Sequence, residues 1–133
     1  MDFASLVLME REKETNYLIK EMGSYEVGEG AEYVTKLFYD GEKVNLYFDT
    51  KKDVEEWEYT AIYDLFNEDR FIENDLEIDI DDNEFNPTWI LNFDYIEEHE
   101  EFKEKLNSIC NLIEEEIKFV LQNIEGKKDE YVE

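Results

Sequence analysis

Apolar and polar residues alternate with a period of about two in several short stretches of the chain, a pattern typical of β-strands with one buried face. Residues 3–9 and 17–22 are apolar runs on either side of a charged stretch, so they predict a hairpin with a long connection. The glycines near residues 24–30 predict a loop after this hairpin.

A second hairpin is predicted around Asp40-Gly41, within residues 33–49. This dipeptide suits the two positive-φ positions of a two-residue type I′ turn. With that turn, Leu37 faces Val44, and the other apolar residues of the two strands share their side of the hairpin. The sequence therefore predicts two neighbouring antiparallel strands with one apolar face.

Two segments have helical periodicity. Residues 53–67 repeat apolar side chains at helical spacing, with Thr50 or Asp53 as the N-cap and Glu56 three residues after Asp53, as in a capping box. Residues 96–125 predict a longer amphipathic helix that ends near a glycine. Its apolar stripe consists of Phe102, Leu106, Ile109, Cys110, Ile113, Ile117, Val120, Leu121 and Ile124.

Two more strands are predicted between the helices, at residues 75–81 and 87–95, which gives the element order ββββαββα. Amphipathic helices must bury their apolar stripes against another layer. We therefore predict an α+β fold with a single antiparallel sheet of about six strands and two helices packed on one face. Residues 1–126 form one domain in this interpretation, and residues 127–133 form a short charged tail.

Composition supports a folded chain despite its charge. The 133 residues are 42% hydrophobic and 15% aromatic, too apolar for a disordered acidic segment. A single cysteine, Cys110, excludes an internal disulfide framework and favours the reducing cytoplasm. There is no apolar run of about 20 residues and no basic leader at residues 1–5, so neither a membrane span nor a signal peptide is expected.

The net charge of −25 is concentrated in the middle of the chain. Residues 51–101 hold 19 acidic and 3 basic side chains, a net charge of −16. Such a surface repels nucleic acids and anionic membranes, so no direct binding to either is expected. Six carboxylates are predicted to form a row along one strand and the following loop: Asp75, Glu77, Asp79, Asp81, Asp82 and Glu84.

Two interpretations of this row remain open at this stage. In one, it is a solvated surface that only keeps the protein soluble. In the other, the row resembles the phosphates of a nucleic acid and binds a basic protein, in the general manner of proteins known as DNA mimics, which this chain is similar to in size and composition only. The second interpretation predicts a non-enzymatic interaction protein, such as a phage-type inhibitor or an immunity protein against a basic nuclease toxin.

The sequence predicts no catalytic, cofactor-binding or specific metal-binding residue. The segment 79–83 begins like a calcium loop, but Glu84 stands where the EF-hand pattern needs glycine and Ile90 where it needs glutamate, which leaves only weak divalent binding. His99 is the single histidine, and the second histidine of a zinc-protease motif is replaced by Lys103. We expect His99 to be a partly exposed residue at the start of a helix.

Two alternatives to the interaction protein are kept. One is a small-ligand binder or enzyme with a pocket between helices and sheet, in which Glu58, near the inward side of the first helix, is a buried acid. Trp57, Tyr63 and Trp89 would line that pocket. The other is a homodimeric adaptor in which Leu112 and Phe119, one heptad apart and outside the main stripe, form an exposed apolar patch.

Overall fold

Six strands form one sheet, and the helices cover one of its faces. The computed structural model describes residues 4–15 and 17–131. The strands are β1 (Ala4–Arg11), β2 (Leu18–Val27), β3 (Val34–Tyr39), β4 (Val44–Asp49), β5 (Glu77–Ile80) and β6 (Thr88–Phe93). The helices are α1 (Glu56–Leu65), α2 (Asp69–Ile72), α3 (His99–Asn123) and α4 (Lys128–Tyr131), with a 3₁₀ turn at Glu29–Tyr33.

The strand order is β2-β1-β3-β4-β6-β5, which confirms an α+β fold with a sheet of six strands. The sheet is mixed rather than antiparallel, because β1 and β3 run parallel through the pairs Met9–Phe38 and Glu10–Tyr39. The chain leaves β2 at the outer edge, passes through the 3₁₀ turn and returns beside β1, so β3 enters in the same direction as β1. A purely antiparallel sheet was therefore a wrong prediction.

The core lies between α3, α1 and the helix-facing side of the sheet. Strands β4 and β6 alternate as predicted, and their inward side chains are fully buried: Val44, Leu46, Phe48, Trp89, Leu91 and Phe93. Most of the predicted stripe of α3 is also buried, including Phe102, Leu106 and Ile117. The period-two and helical patterns thus identified the two surfaces that meet in the core.

The turn of the β3–β4 hairpin lies one residue later than predicted, because the Asp40 N–H donates to the Lys43 carbonyl at 3.1 Å and leaves residues 41 and 42 at its centre. Tyr39 pairs with Val44 and Leu37 pairs with Leu46, so the register differs by two residues from the predicted one. The cause is Asp40, whose carboxylate accepts hydrogen bonds from the backbone N–H groups of residues 42 and 43 at 2.9 and 2.8 Å. A shift of two residues keeps the side chains of residues 36–39 on their predicted faces, whereas an irregularity between Val34 and Lys36 brings Val34 opposite Phe48 of the apolar face.

Helix α1 begins later than predicted and is capped by different residues. Glu55 is the N-cap, and the Glu58 side chain accepts a hydrogen bond from the Glu55 backbone at 2.9 Å, which completes a capping box. Asp53 instead accepts a hydrogen bond from the Asn86 side chain at 3.0 Å. The helix ends at Leu65, and the chain turns before α2, so residues 53–67 are not one continuous helix.

The long helix is shorter than predicted at both ends, and the predicted tail contains a further short helix. Helix α3 ends at Asn123, and Gly126 has the positive φ of 78° expected beyond a helix C-terminus. The short helix α4 follows, and the Tyr131 hydroxyl donates a hydrogen bond to Asp64 of α1 at 2.7 Å. The described part of residues 127–133 therefore packs on the domain rather than forming a simple charged tail.

The predicted loop at residues 24–30 is mostly ordered secondary structure. Strand β2 continues to Val27, and Asn107 of α3 holds its end by accepting from the Gly28 N–H at 2.9 Å and donating to the Glu26 carbonyl at 3.2 Å. Gly30 then lies directly against α3, where a Cβ built on it would be 2.0 Å from the Cys110 carbonyl oxygen. Only glycine permits this close approach.

Candidate functional site: the acidic edge of the sheet

Carboxylates line the free edge of β5 and the turn that follows it. Glu77 and Asp79 lie within β5, and Asp82 and Glu84 lie in the next turn; all four are exposed. We call these four residues the acidic edge. Strand β5 pairs only with β6 in the sheet order, so this edge faces away from the remaining strands.

The predicted row is shorter than six residues. Asp75 precedes β5 in a turn with a positive φ of 63°, so it does not share the regular spacing of the strand. Asp81 follows the strand and is only half-exposed, although its backbone N–H still donates to the Thr88 carbonyl at 3.0 Å. Placing Asp75 within the strand was therefore wrong, and Asp81 lies one residue beyond the end of β5, so the exposed carboxylates of β5 and the turn after it are the four residues of the acidic edge.

Few cations lie near the acidic edge. Among residues 4–15 and 17–131, none of its four carboxylates is within ion-pair distance of a lysine or arginine. Lys43 is within electrostatic reach of Glu77: the pKa of Lys43 is raised first by a 2.7 Å hydrogen bond to Asp94, and more weakly by the charge of Glu77. Lys43 is thus already engaged by Asp94, whose own pKa that hydrogen bond lowers.

The turn after β5 brings carboxylates toward the helix-free face of the sheet. Burial raises the pKa of Tyr47, and the charges of Asp81 and Glu84 raise it further, which places both carboxylates within electrostatic reach of β4. Asp81 also stabilises the turn, because its carboxylate accepts a hydrogen bond from the Asn83 N–H at 3.2 Å.

Apolar side chains are exposed beside these charges, which the sequence interpretation missed. Phe85, in the same turn as Glu84, has 76% of its surface exposed, and Ile80 at the end of β5 is 41% exposed. The sequence contained a signal: Phe85 interrupts a run of acidic and amide residues at positions 81–86. An aromatic side chain surrounded by carboxylates gives this surface an apolar contact point.

The other candidate residues serve mainly structural roles. Trp89 is fully buried and stacks on Phe66 with ring centroids 4.2 Å apart, and the Tyr63 hydroxyl both donates to and accepts from the Thr88 backbone. The Trp57 indole donates to Glu55 at 2.7 Å. Together with the capping role of Glu58, these contacts place the four residues of the alternative pocket in packing and capping.

The predicted apolar patch on α3 is not continuous. Leu112 is half-buried and packs against the core, whereas Phe119 is 54% exposed. His99 is exposed at the first position of α3, where its ring stacks on Tyr25 at 4.7 Å and Nε2 lies 3.1 Å from the Ser24 carbonyl. His99 thus joins the start of α3 to β2.

Neither a metal centre nor a membrane span is found in the described part of the chain. Residues 4–15 and 17–131 contain no group of three or more His, Cys, Asp or Glu side chains placed to hold a metal ion. In the calcium-like segment, Asp79 instead accepts a hydrogen bond from the Ile80 N–H at 2.8 Å. Within the same ranges, every helix is too short or too polar to cross a bilayer.

Cys110 is expected to be unreactive in the folded protein. Its side chain is fully buried in α3, and burial raises the pKa of its thiol to about 12, so the nucleophilic thiolate is scarce at neutral pH. We expect a disulfide reagent such as Ellman's reagent to leave native protein at pH 8 essentially unmodified over an hour, and to label one thiol per chain in denaturant. Rapid labelling of the native protein would contradict this placement.

Comparison with known proteins places the chain in a family without assigning it an activity. Residues 1–132 match the family described as "Family of unknown function (DUF6762)". No curated protein and no solved structure matches the chain. Because the match spans residues 1–132 of 133, the chain belongs to this family of unknown function, DUF6762.

Proposed function

We propose that this protein is a non-enzymatic acidic interaction protein that binds a basic surface of another protein through the acidic edge. The observation that carries the proposal is the exposure of Glu77, Asp79, Asp82 and Glu84 along one strand edge and turn, with no ion pair to any described lysine or arginine. Like charges in such an arrangement repel one another, and a cationic partner relieves that repulsion.

Recognition at this edge uses side chains rather than an added β-strand. The Asp81 N–H bonds to β6, so the antiparallel pattern directs the backbone N–H of Ile80 away from β6. The Asp79 carboxylate already occupies that N–H at 2.8 Å. A partner strand that pairs with β5 therefore finds one backbone donor of β5, the Ile80 N–H, already hydrogen-bonded, while the carboxylates stay accessible.

Phe85 and the acidic edge have complementary roles in this proposal. Carboxylates attract a basic partner over several ångströms and accelerate encounter, an effect that salt screens. Exposed aromatic residues supply the short-range contact area that typically dominates binding energy. Phe85 therefore anchors the complex after the charges have oriented it.

The partner class follows from the arrangement of charge. Proteins with grooves lined by lysine and arginine are chiefly those that bind nucleic acids, and an ordered set of carboxylates competes for such a groove. In this proposal the protein is a nucleic-acid-mimicking inhibitor, either a phage-type inhibitor or an immunity protein that neutralises a basic nuclease. A single buried cysteine is consistent with action in the cytoplasm.

The test compares two variants that lose the same charge. In the first, the acidic edge is neutralised by Glu77→Gln, Asp79→Asn, Asp82→Asn and Glu84→Gln; asparagine at position 79 keeps an acceptor for the Ile80 N–H. The control neutralises four exposed acids elsewhere, by Glu101→Gln, Glu104→Gln, Glu125→Gln and Asp129→Asn. Partners are captured from lysate at low and high salt, identified, purified and titrated against each variant.

We expect the purified partner to bind the first variant at least about tenfold more weakly and the control variant as the natural chain does, with binding weakened by salt. We also expect the protein to displace DNA or RNA from that partner. Equal binding by all three proteins would reject the acidic edge, and equal loss in both variants would show that only total charge matters. A captured partner that does not bind nucleic acid would reject the mimic.

A further inference from the structure

A cleft on the helix-free face of the sheet combines basic and aromatic side chains. Lys36 of β3 pairs with Tyr47 of β4, and Phe38 pairs with Asn45, so the side chains of Lys36, Phe38 and Tyr47 emerge on the same face. Together with Arg11 of β1 they line an open cleft of about 430 Å³. This is within the usual range of volumes for small-molecule sites.

The aromatic rings and the cations are arranged in contact. The rings of Phe38 and Tyr47 stack with centroids 6.2 Å apart and an angle of 29° between their planes. Arg11 Cζ lies 5.7 Å from the centroid of Phe38, and Lys36 Nζ lies 5.0 Å from that of Tyr47. The cleft thus contains a pair of aromatic rings with a cationic group held against each of them.

Lys36 forms no ion pair with a described carboxylate, although carboxylates are abundant on this protein. Eight of the thirteen lysines and arginines form ion pairs among residues 4–15 and 17–131, whereas Lys36 forms none there and rests on a ring instead. An ammonium group on a flexible stem can leave the ring for a stronger anionic acceptor. The cleft therefore offers cationic groups to an anion, although the protein as a whole has a net charge of −25.

A smaller cleft of about 160 Å³ continues from the first. It shares Lys36 and Tyr47, and its far side is lined by Asp49 and Glu84. Along the combined groove, Arg11 and Phe38 line only the larger cleft, Lys36 and Tyr47 line both, and Asp49 and Glu84 line only the smaller one. A ligand that fits this order carries an anionic group, a planar ring, and hydrogen-bond donors beyond the ring.

We propose that this groove binds a single nucleoside monophosphate. The phosphate lies against Lys36 and Arg11, the base stacks on the Phe38–Tyr47 pair, and amino or hydroxyl groups of the nucleotide donate to Asp49 or Glu84. Aromatic and basic residues on an open sheet face commonly stack nucleobases in this manner. The groove volume and the surrounding negative charge favour one nucleotide over a nucleic-acid strand, which the rest of the surface would repel.

The site is tested by titrating ¹⁵N-labelled full-length protein with AMP and GMP up to 5 mM, following backbone amide shifts. Inorganic phosphate, adenosine and a short single-stranded RNA are titrated in parallel. We expect saturable shifts at residues 36, 38 and 47 with at least one of the two nucleotides, and at least about tenfold weaker binding of phosphate or adenosine alone, since each supplies half of the contacts.

Two variants locate the binding. Lys36→Gln and Tyr47→Leu should each weaken nucleotide binding about tenfold, whereas Lys52→Gln, which removes an equal charge at an exposed lysine elsewhere, should not change it. Amide dispersion checks that Tyr47→Leu is folded.

The proposal is overturned by absence of saturation with both nucleotides, by phosphate binding as tightly as the nucleotides, by RNA binding more tightly than they do, or by unchanged affinity in Lys36→Gln. Glu84 belongs to both proposed sites, but Lys36 and Tyr47 lie outside the acidic edge, so the result of their replacement does not depend on the proposed function.

Discussion

Replacing Gly30 by alanine should destabilise the protein by about 3 kcal/mol or more, since overpacking against backbone cannot be relieved by a side-chain rotation. The added Cβ would lie 2.0 Å from the Cys110 carbonyl oxygen and 2.6 Å from its carbonyl carbon, so the 3₁₀ turn must separate from α3. Equilibrium unfolding in guanidinium chloride, followed by tryptophan fluorescence and circular dichroism, measures the change.

Gly28→Ala is the matched control for this prediction. Gly28 is two residues away and has a φ of −80°, and the nearest atom to its built Cβ is the Asn107 Oδ1 at an ordinary 3.8 Å. We expect alanine there to change the unfolding free energy by less than about 1 kcal/mol. Similar losses at positions 28 and 30 would show that the close approach of Gly30 to α3 is not the cause.

Replacing Arg70 by methionine should cost about 3 kcal/mol, because it leaves the buried carboxylate of Glu116 without its cationic partner. Glu116 is 1% exposed; it accepts hydrogen bonds from Arg70 Nη1 at 3.3 Å and from the Asn67 N–H at 3.1 Å. Arg70 is itself one-third exposed, which places the expected loss at the lower end of the range for broken buried pairs. Chemical unfolding of the variant gives the value.

A double variant identifies the charge as the cause. Adding Glu116→Gln to Arg70→Met replaces the unpaired carboxylate with a neutral amide that still accepts a hydrogen bond from the Asn67 N–H. The double variant should therefore be more stable than Arg70→Met alone. Glu115→Gln serves as the surface control, since Glu115 binds the same arginine at 2.5 Å but is exposed, and should cost less than about 1 kcal/mol. A double variant less stable than Arg70→Met would contradict this account.

The buried Glu116 also shows where sequence patterns lose information. It stands beside Ile117 in a helix whose apolar stripe is clear, and nothing local distinguishes it from the exposed Glu115. Its burial depends on Arg70, 46 residues away in the chain, and on the turn between α1 and α2. Periodicity predicts which side of a helix is apolar, but not which polar residue at its margin finds a partner in the fold.

Local patterns were most informative where one strand face is buried. The alternation in β4 and β6 identified all six inward side chains, because a strand covered on one face imposes a strict period of two. The β3–β4 register was missed because Asp40 pairs with Lys43 and its carboxylate holds a turn centred one residue later than predicted. The parallel pairing of β1 and β3 depends on the path of the chain after β2, which no short pattern records.

The sequence predicted that the candidate site is formed by carboxylates, but it placed only some of them correctly. The alternation that identified β5 placed Glu77 and Asp79 on it, and the order of the sheet leaves that strand at an edge. Asp75 was misplaced, although the pair Asn74-Asp75 carries a signal, since asparagine and aspartate tolerate the left-handed conformation that Asp75 adopts. The cleft around Lys36 and Tyr47 was not predicted, because its residues come from three strands whose pairing had first to be known.

The parallel contact between β1 and β3 has a consequence for motion. Two residue pairs join these strands, whereas six join β4 to β6, so the β1–β2 hairpin has little backbone attachment to the rest of the sheet. It is held instead by Asn107 and by buried side chains of the hairpin: Leu8, Val27 and Tyr25, the last of which packs edge-on against Phe102. We therefore expect local opening to begin at this hairpin, while the central strands remain paired.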